Sequence, residues 1–280
     1  MNIKILHSHL QEFLQTNASP EKIGECLALC GPSVETVTKT VSSHPTETSH
    51  SVSSTKKADY LYNIEVTTNR VDMMSVIGIA REAAIILPQF GFKAKYKPLT
   101  VETAHRDISN LPQPQPPLTI KSDKSLTSRV MAVIIDNIKL GPSPQWLKDR
   151  LEAADIRSLN NIVDITNYVM TEVGHPTHVF DYDLIKSQQM VFRLSRKDEQ
   201  VTTFDNKSYH LPGNDIVIDD GHGEIIDLPG IMGTKNSVVN QKTKRIIFFI
   251  DNNDPQKMRR TSMTTGIRTV AVSLNEKNVD

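Results

Sequence analysis

Residues Asn161 to Asp181, NIVDITNYVMTEVGHPTHVFD, constrain the fold more tightly than any other stretch of the chain. Ile162, Ile165 and Val169 recur at helical spacing and predict an amphipathic helix. Gly174 ends it, because glycine takes the left-handed helix-ending conformation at least cost. His175, Pro176, Thr177 and His178 then make a stiff turn, followed by Asp181 and Asp183. A helix carrying Thr166 and Asn167 is thereby set beside a rigid turn bearing two imidazoles, which suits one wall of a pocket.

Charge limits the partners. Lys plus Arg and Asp plus Glu stand at 32 each, so the formal net charge is zero. A protein that held nucleic acid by charge alone would be basic, so any RNA contact must be local or shared with a partner. Lys257, Arg259, Arg260 and Arg268 form the local candidate, although surface Lys and Arg are equally at home on a plain solvated face. No run of about 18 apolar residues exists, which excludes a membrane-spanning helix. Cys26 and Cys30 join Ile23 and Leu27 in an apolar helical stripe, so core packing is their expected role, in the reducing cytoplasm.

The N-terminus spaces Ile3, Leu6, Leu10, Phe13 and Leu14 like one side of a helix. A second helix is expected from the Ser19 cap and Pro20 to Gly31. The Ser- and Thr-rich segment 33–57 has little apolar mass and reads as a flexible linker, and 60–67 alternates like a strand. Asp72 is expected to cap a helix running to about Leu87. A second linker, 93–117, contains LPQPQPP, and the main domain, 118–280, follows. Within it, strands are expected at 129–138, 190–195, 215–219, 224–228 and 245–250, with helices over 144–154 (Ser143 cap) and from Asn161. The fold class is therefore α+β, a small N-terminal unit (1–92) followed by a larger mixed domain of mostly antiparallel strands.

Simple catalytic motifs are missing. His175, His178, Asp181 and Asp183 could be considered for a metal, but Pro176 breaks the helix that would make the imidazoles converge. No GxSxG elbow occurs, and LPGIMGT at 228–234 lacks phosphate-loop spacing, so no cofactor is expected on this chain.

The run from Gly141 to Asp181 resembles the substrate-editing domain of the β subunit of bacterial phenylalanyl-tRNA synthetase, also called phenylalanine–tRNA ligase. ECLALCG near the start, VTTNRVDMMSVIGIARE at 66–82 and LPGIMGTKNSVVNQKT at 228–243 resemble it in the same order. The resemblance implies the N-terminal portion of that subunit, with 33–57 standing where the family inserts a tRNA-binding barrel. It implies a tetramer of two α and two β subunits, with the α subunit and the phenylalanine tRNA as partners. ATP and Mg would serve the whole synthetase, and this portion alone would not aminoacylate. The family's editing domain hydrolyses tyrosine wrongly esterified to that tRNA, a correction needed because an apolar ring pocket rejects an added hydroxyl poorly.

Carried over residue by residue, the family's pocket falls on Arg157, Thr166, Asn167, Pro176, His178, Gly230, Gly233, Phe249, Thr269 and Ala271. By that resemblance Asn167, Thr166 and His178 would orient the ester or the attacking water, and the glycines would admit the amino-acid ring. Arg157 would meet the terminal adenosine. The chain departs from the family at Phe249, where a Glu would accept the tyrosine hydroxyl, and at Val270, Leu274 and Asn275. A buried hydroxyl left unpaired costs about 1–3 kcal/mol, so weakened or lost tyrosine editing is expected. Two other readings remain open, a free-standing trans-editing hydrolase and a non-catalytic structural module. The chain is expected to be a fragment, a split subunit or a degraded gene product.

Overall fold

The computed structural model describes residues 1–46, 53–99 and 116–279. In chain order it runs β1 (Asn2–Leu6), α1 (His7–Phe13), β2 (Leu14–Thr16), α2 (Pro20–Cys30), β3 (Ser33–Thr46), β4 (Ser53–Glu65), α3 (Val76–Ile86) and β5 (Ala94–Tyr96). There follow β6 (Thr119–Lys121), β7 (Thr127–Ile135), α4 (Gln145–Ala153), α5 (Asn161–Val173), β8 (His178–Asp181) and β9 (Gln189–Leu194). The rest is β10 (Glu199–Thr202), β11 (Ser208–Leu211), β12 (Ile216–Asp219), β13 (Ile225–Leu228), β14 (Met232–Gly233), β15 (Ile246–Asn253), α6 (Pro255–Thr265) and α7 (Val270–Asn275). The described registers are antiparallel except that of β6 with β9. The fold is α+β.

Two compact units form, and they cut across the sequential division into 1–92 and 118–280. The first gathers Met1–Lys97, Lys139–Val179 and Arg268–Asp280, and the second Pro98–Ile138 and Phe180–Ile267. Burial explains the regrouping of the first: Met170 of α5 and Leu274 of α7 sit in the same apolar cluster as Leu10, Ile23, Tyr62 and Ile79.

In the first unit, β4 lies between β1 and β3. The expected N-terminal helix is only half formed. Leu10 and Phe13 are buried on α1, but residues 2–6 pair with β4 from Asn2↔Glu65 to Leu6↔Leu61. The segment expected as a linker is a strand as well, since 33–46 pairs with 53–65; residues 47–52 lie outside the described ones. Its β-branched run (Val34, Thr36, Val37, Thr38, Thr40, Val41) favours extension, and its serines bury by hydrogen bonding rather than by apolar mass. Ser42 Oγ and Ser8 Oγ both donate to the Asp59 carboxylate, and the Ser43 amide donates to Asp149 at 2.7 Å. The second linker is also shorter than expected, because β5 pairs with β2; Thr100–Gln115, with most of LPQPQPP, lies outside the described residues.

Helix ends follow local chemistry. Ser19 accepts the Lys22 amide with Pro20 in the first turn, as expected. Ser75, not Asp72, caps α3; Asp72 instead accepts the Arg70 guanidinium at 2.8 Å. Ser143 falls one residue outside the α4 cap and donates to Asp164. Cys26 is buried but Cys30 is exposed, so the apolar stripe ends one turn early. Asp155 takes the left-handed conformation at φ +60°, which its short polar side chain tolerates. Gly174 closes α5 at φ +83°, and a Cβ there would lie 3.2 Å from Ser75 Cβ. Gly174→Ala should therefore cost about 1–2 kcal/mol, visible as a lower urea midpoint; an unchanged midpoint would refute this account of the cap.

In the second unit one sheet runs β14-β13-β12-β9-β6 and another β7-β15-β8, to which Phe180 and Asp181 of β8 belong. A β10–β11 hairpin and α6 complete it, and neither is foreseen in the sequence reading. Within this unit the two sheets meet through aromatic rings: Phe249 of β15 stacks on Phe192 of β9 at 6.2 Å and takes the edge of Phe180 at 5.5 Å.

Candidate functional site

α5 and the strand after it carry the clearest part of the expected set. Asn160 caps the helix by accepting the Ile162 and Val163 amides. The helix then buries Asp164, Thr166 and Met170 rather than an Ile162–Ile165–Val169 face, and Ile165 is exposed. Asp164, fully buried, gathers the loops before the helix by accepting from Ser143, Ser158 and the Leu159 amide. Thr166 Oγ1 donates to the Val163 carbonyl at 2.7 Å, which commits its proton to the helix and leaves its oxygen able only to accept. Its own carbonyl accepts Thr177 Oγ1 at 3.3 Å, tying the turn to the helix as the Gly-His-Pro-Thr-His run suggests. Asn167, one residue on, is half-buried, and no side-chain hydrogen bond engages its amide among the described residues.

Pro176 is buried, and His178 opens β8 rather than ending a turn. His178 is half-buried as a residue, and desolvation of its ring lowers the imidazole pKa to about 4. At neutral pH it is an uncharged donor–acceptor. Arg157 is exposed in the loop before α5. Thr269 caps α7 by accepting the Val272 amide, and Ala271 packs against the buried cluster. These seven residues belong to the first unit.

Gly230, Gly233 and Phe249 belong to the second. Gly230 sits at φ +67° in the turn closed by Ile231 N to Leu228 O, a conformation that favours glycine. Gly233 pairs with Asp227 across β13 and β14. Phe249 is 1% exposed, so it is core rather than a surface open to ligand.

Other candidates resolve into structure. Asp181 accepts Thr243 Oγ1 and the Asp183 amide, while Asp183 pairs with Arg245. Arg260 donates to the Gly213 carbonyl at 3.0 Å and Arg268 pairs with Glu276 at 2.9 Å, which leaves Lys257 and Arg259 as a thin basis for RNA contact. Gly230 and Gly233 in a turn and a short strand form no phosphate-binding loop into a helix.

Sequence reasoning missed a polar cluster in the first unit. His9, Glu12 and Glu172 place their ligand-capable atoms within 4.8 Å of one another. The Arg150 guanidinium bonds Glu12 and the Tyr168 hydroxyl and lies 5.1 Å over the Trp146 ring. With that cation already between the carboxylates, the cluster reads as a structural network beside a cleft of about 70 Å³. None of the ten expected site residues lines that cleft. The His9–Glu12 spacing on α1 was the signal available.

Residues 126–280 match the family model described as the B3/4 domain. The phenylalanine–tRNA ligase β subunit of Carboxydothermus hydrogenoformans is 37% identical over 230 residues, covering 79% of this chain and 26% of that protein. That of Geobacter metallireducens is 39% identical over 222 residues, 79% of this chain and 27% of that protein. The chain thus spans about a quarter of the length of these relatives. A solved N-terminal fragment of the phenylalanyl-tRNA synthetase β subunit from Pyrococcus horikoshii covers 99% of this chain and 74% of that one at 13% identity and a TM-score of 0.39, too distant to carry weight. No described helix is long and apolar enough to cross a membrane. With its match extending over more than half its length, the chain belongs to the B3/4 domain family.

Proposed function

We propose that this chain acts as a β-subunit portion of phenylalanine–tRNA ligase, with its hydrolysis of mischarged tyrosyl-tRNA weakened. The similarity to two β subunits over four fifths of the chain supports the first half. The observation that carries the second is Phe249, a buried ring packed on Phe180 and Phe192 where tyrosine recognition calls for an acceptor. In this reading ATP and Mg are used by the α subunit, the complex works on the phenylalanine tRNA in the cytoplasm, and this chain supplies structure and residual editing. Asn167 offers an uncommitted amide to the ester or to water, and neutral His178 orients the attacking water without being protonated first. Arg157, which is exposed, would meet the RNA in this reading. The fully structural module is the competing reading, favoured by the internal hydrogen bond of Thr166.

The test is deacylation of tyrosyl-tRNA for phenylalanine by the full chain, alone and with its α subunit. Slow hydrolysis is expected, and rapid turnover overturns the weakened site. Residual hydrolysis should fall about a hundredfold in His178→Ala. Because burial depresses the imidazole pKa, the His178-dependent part should be flat above about pH 5 and vanish as pH falls through about 4. An inflection near the ordinary histidine value would contradict this environment, and a rate unaltered by His178→Ala would leave the structural module standing.

A further inference from the structure

Three segments of the second unit meet around one buried acid. Asp215 stands just before β12 and is 0% exposed. Its Oδ1 accepts Thr261 Oγ1 of α6 at 2.7 Å. Its Oδ2 accepts Ser195 Oγ at 2.9 Å and the Gly213 amide at 3.2 Å. A buried carboxyl is costly unless its oxygens find donors, so these bonds hold the β9–β10 turn, the β11–β12 turn and α6 against one another. The two turns also touch directly, since a Cβ on Gly213, at φ +92°, would lie 3.1 Å from Lys197 N. Arg260 of α6 completes the junction by donating to the Gly213 carbonyl at 3.0 Å.

The anchored residues are neighbours of cations. Arg196 and Lys197 directly follow Ser195, Arg259 and Arg260 directly precede Thr261, and all four are exposed. Lys257, three residues before Arg260, shares its side of α6. None of these side chains enters an ion pair among the described residues. The acids close by are mostly committed. Glu199 pairs with Arg193 at 2.7 Å, and Asp254 caps α6 by accepting the Lys257 amide. Asp198, exposed in the same turn, offsets one of the charges. A chain with zero net charge thus concentrates positive charge at one corner of its second unit.

We propose that Arg196, Lys197, Lys257, Arg259 and Arg260 form a docking ridge for RNA backbone phosphates, through which the second unit grips the tRNA. The identity of the RNA rests on the β-subunit reading above. Arg and Lys side chains only donate, which suits phosphate oxygens, and such contacts position RNA without reading its sequence. Helix α6 alone is a thin basis for this, and the fold strengthens it by bringing Arg196 and Lys197 from a distant part of the chain.

Binding of labelled phenylalanine tRNA to the full chain, alone and with its α subunit, would be followed by fluorescence anisotropy from about 50 to 200 mM KCl. The double variant Arg196→Ala, Lys197→Ala should bind about tenfold more weakly. Its slope of log affinity against log salt should flatten by about two, one for each lost phosphate contact. A tRNA of different sequence should lose the same factor. Lys121→Ala, which removes an exposed charge beside Val191 in the first half of β9, should bind like the parent. Parental affinity and slope in the double variant overturn the ridge and leave the β-subunit reading intact. An equal loss in Lys121→Ala also overturns it, because the tRNA would then sense only overall charge. A parent chain that binds no tRNA, with or without the α subunit, overturns both the ridge and the reading. A double variant that keeps tRNA but loses binding to phosphatidylserine vesicles would assign the ridge to a membrane instead, and overturn it too.

Discussion

Gly78→Ala should lose more than about 3 kcal/mol of stability, although it places a stronger helix former in a helix. Alanine at an interior helical position normally gains about 1 kcal/mol over glycine. Here a Cβ would fall 2.0 Å from the Asp72 carbonyl oxygen and 2.8 Å from Met73 Cα. Both are backbone atoms of the 3-10 turn Val71–Met73, which cannot swing aside as a side-chain end can. At Gly24, by contrast, the nearest atom is a Val37 side-chain methyl at 2.6 Å rather than backbone. Moving the turn would also withdraw Met73 and Met74, each almost fully buried in the core of the first unit. Urea unfolding measures this directly. A loss below about 1 kcal/mol would mean that the turn slides at little cost and that its packing is looser than described.

The parts of the fold legible in the sequence are those whose signal is local. Ser19 with Pro20 fixes the start of α2, and Gly174 the end of α5. Apolar runs mark β9, β12, β13 and β15. Where pairing partners decide the conformation, local reading fails. Residues 2–6 carry helical spacing but become strand because the edge of β4 offers hydrogen bonds. The 33–46 stretch lacks apolar mass, yet β-branched residues and the distant acceptors Asp59 and Asp149 hold it. Helix α6 had the same opening as α2, a side-chain cap (Asp254) and a proline, and its polar Lys, Arg and Thr run concealed it. The β10–β11 turn was also marked, by Asp205 and a left-handed Asn206. Near the candidate site, the tie of the His-Pro-Thr turn to α5 through Thr177 and the Thr166 carbonyl agrees with the spacing of that run. The His9–Glu12–Glu172 cluster was not legible, because it depends on α1 and α5, far apart in the chain, coming together.

Phe249→Glu, the change that would restore the acidic residue of the family resemblance, should damage this chain rather than repair it. The side chain at 249 is held between the stacked ring of Phe192 and the edge of Phe180, contacts worth about 0.5–1.5 kcal/mol each beyond their area. Removing a buried aromatic ring alone costs about 3–5 kcal/mol, and a carboxyl in its place must be desolvated as well. Asp251, two residues along on the same side of β15, adds a second carboxyl nearby. The introduced carboxyl would hold its proton, so its folded-state pKa would lie above the unfolded value. The loss is then smallest in acid and grows as pH rises through the ordinary carboxylate range. Urea midpoints at about pH 5 and pH 8 should separate further from the parent chain at the higher pH. Tyrosyl-tRNA hydrolysis should not recover, because position 249 is 1% exposed and an acceptor there would be enclosed by the rings of Phe180 and Phe192. A variant of parental stability that gained hydrolysis would show instead that the rings part readily and that Phe249 masks an intact pocket.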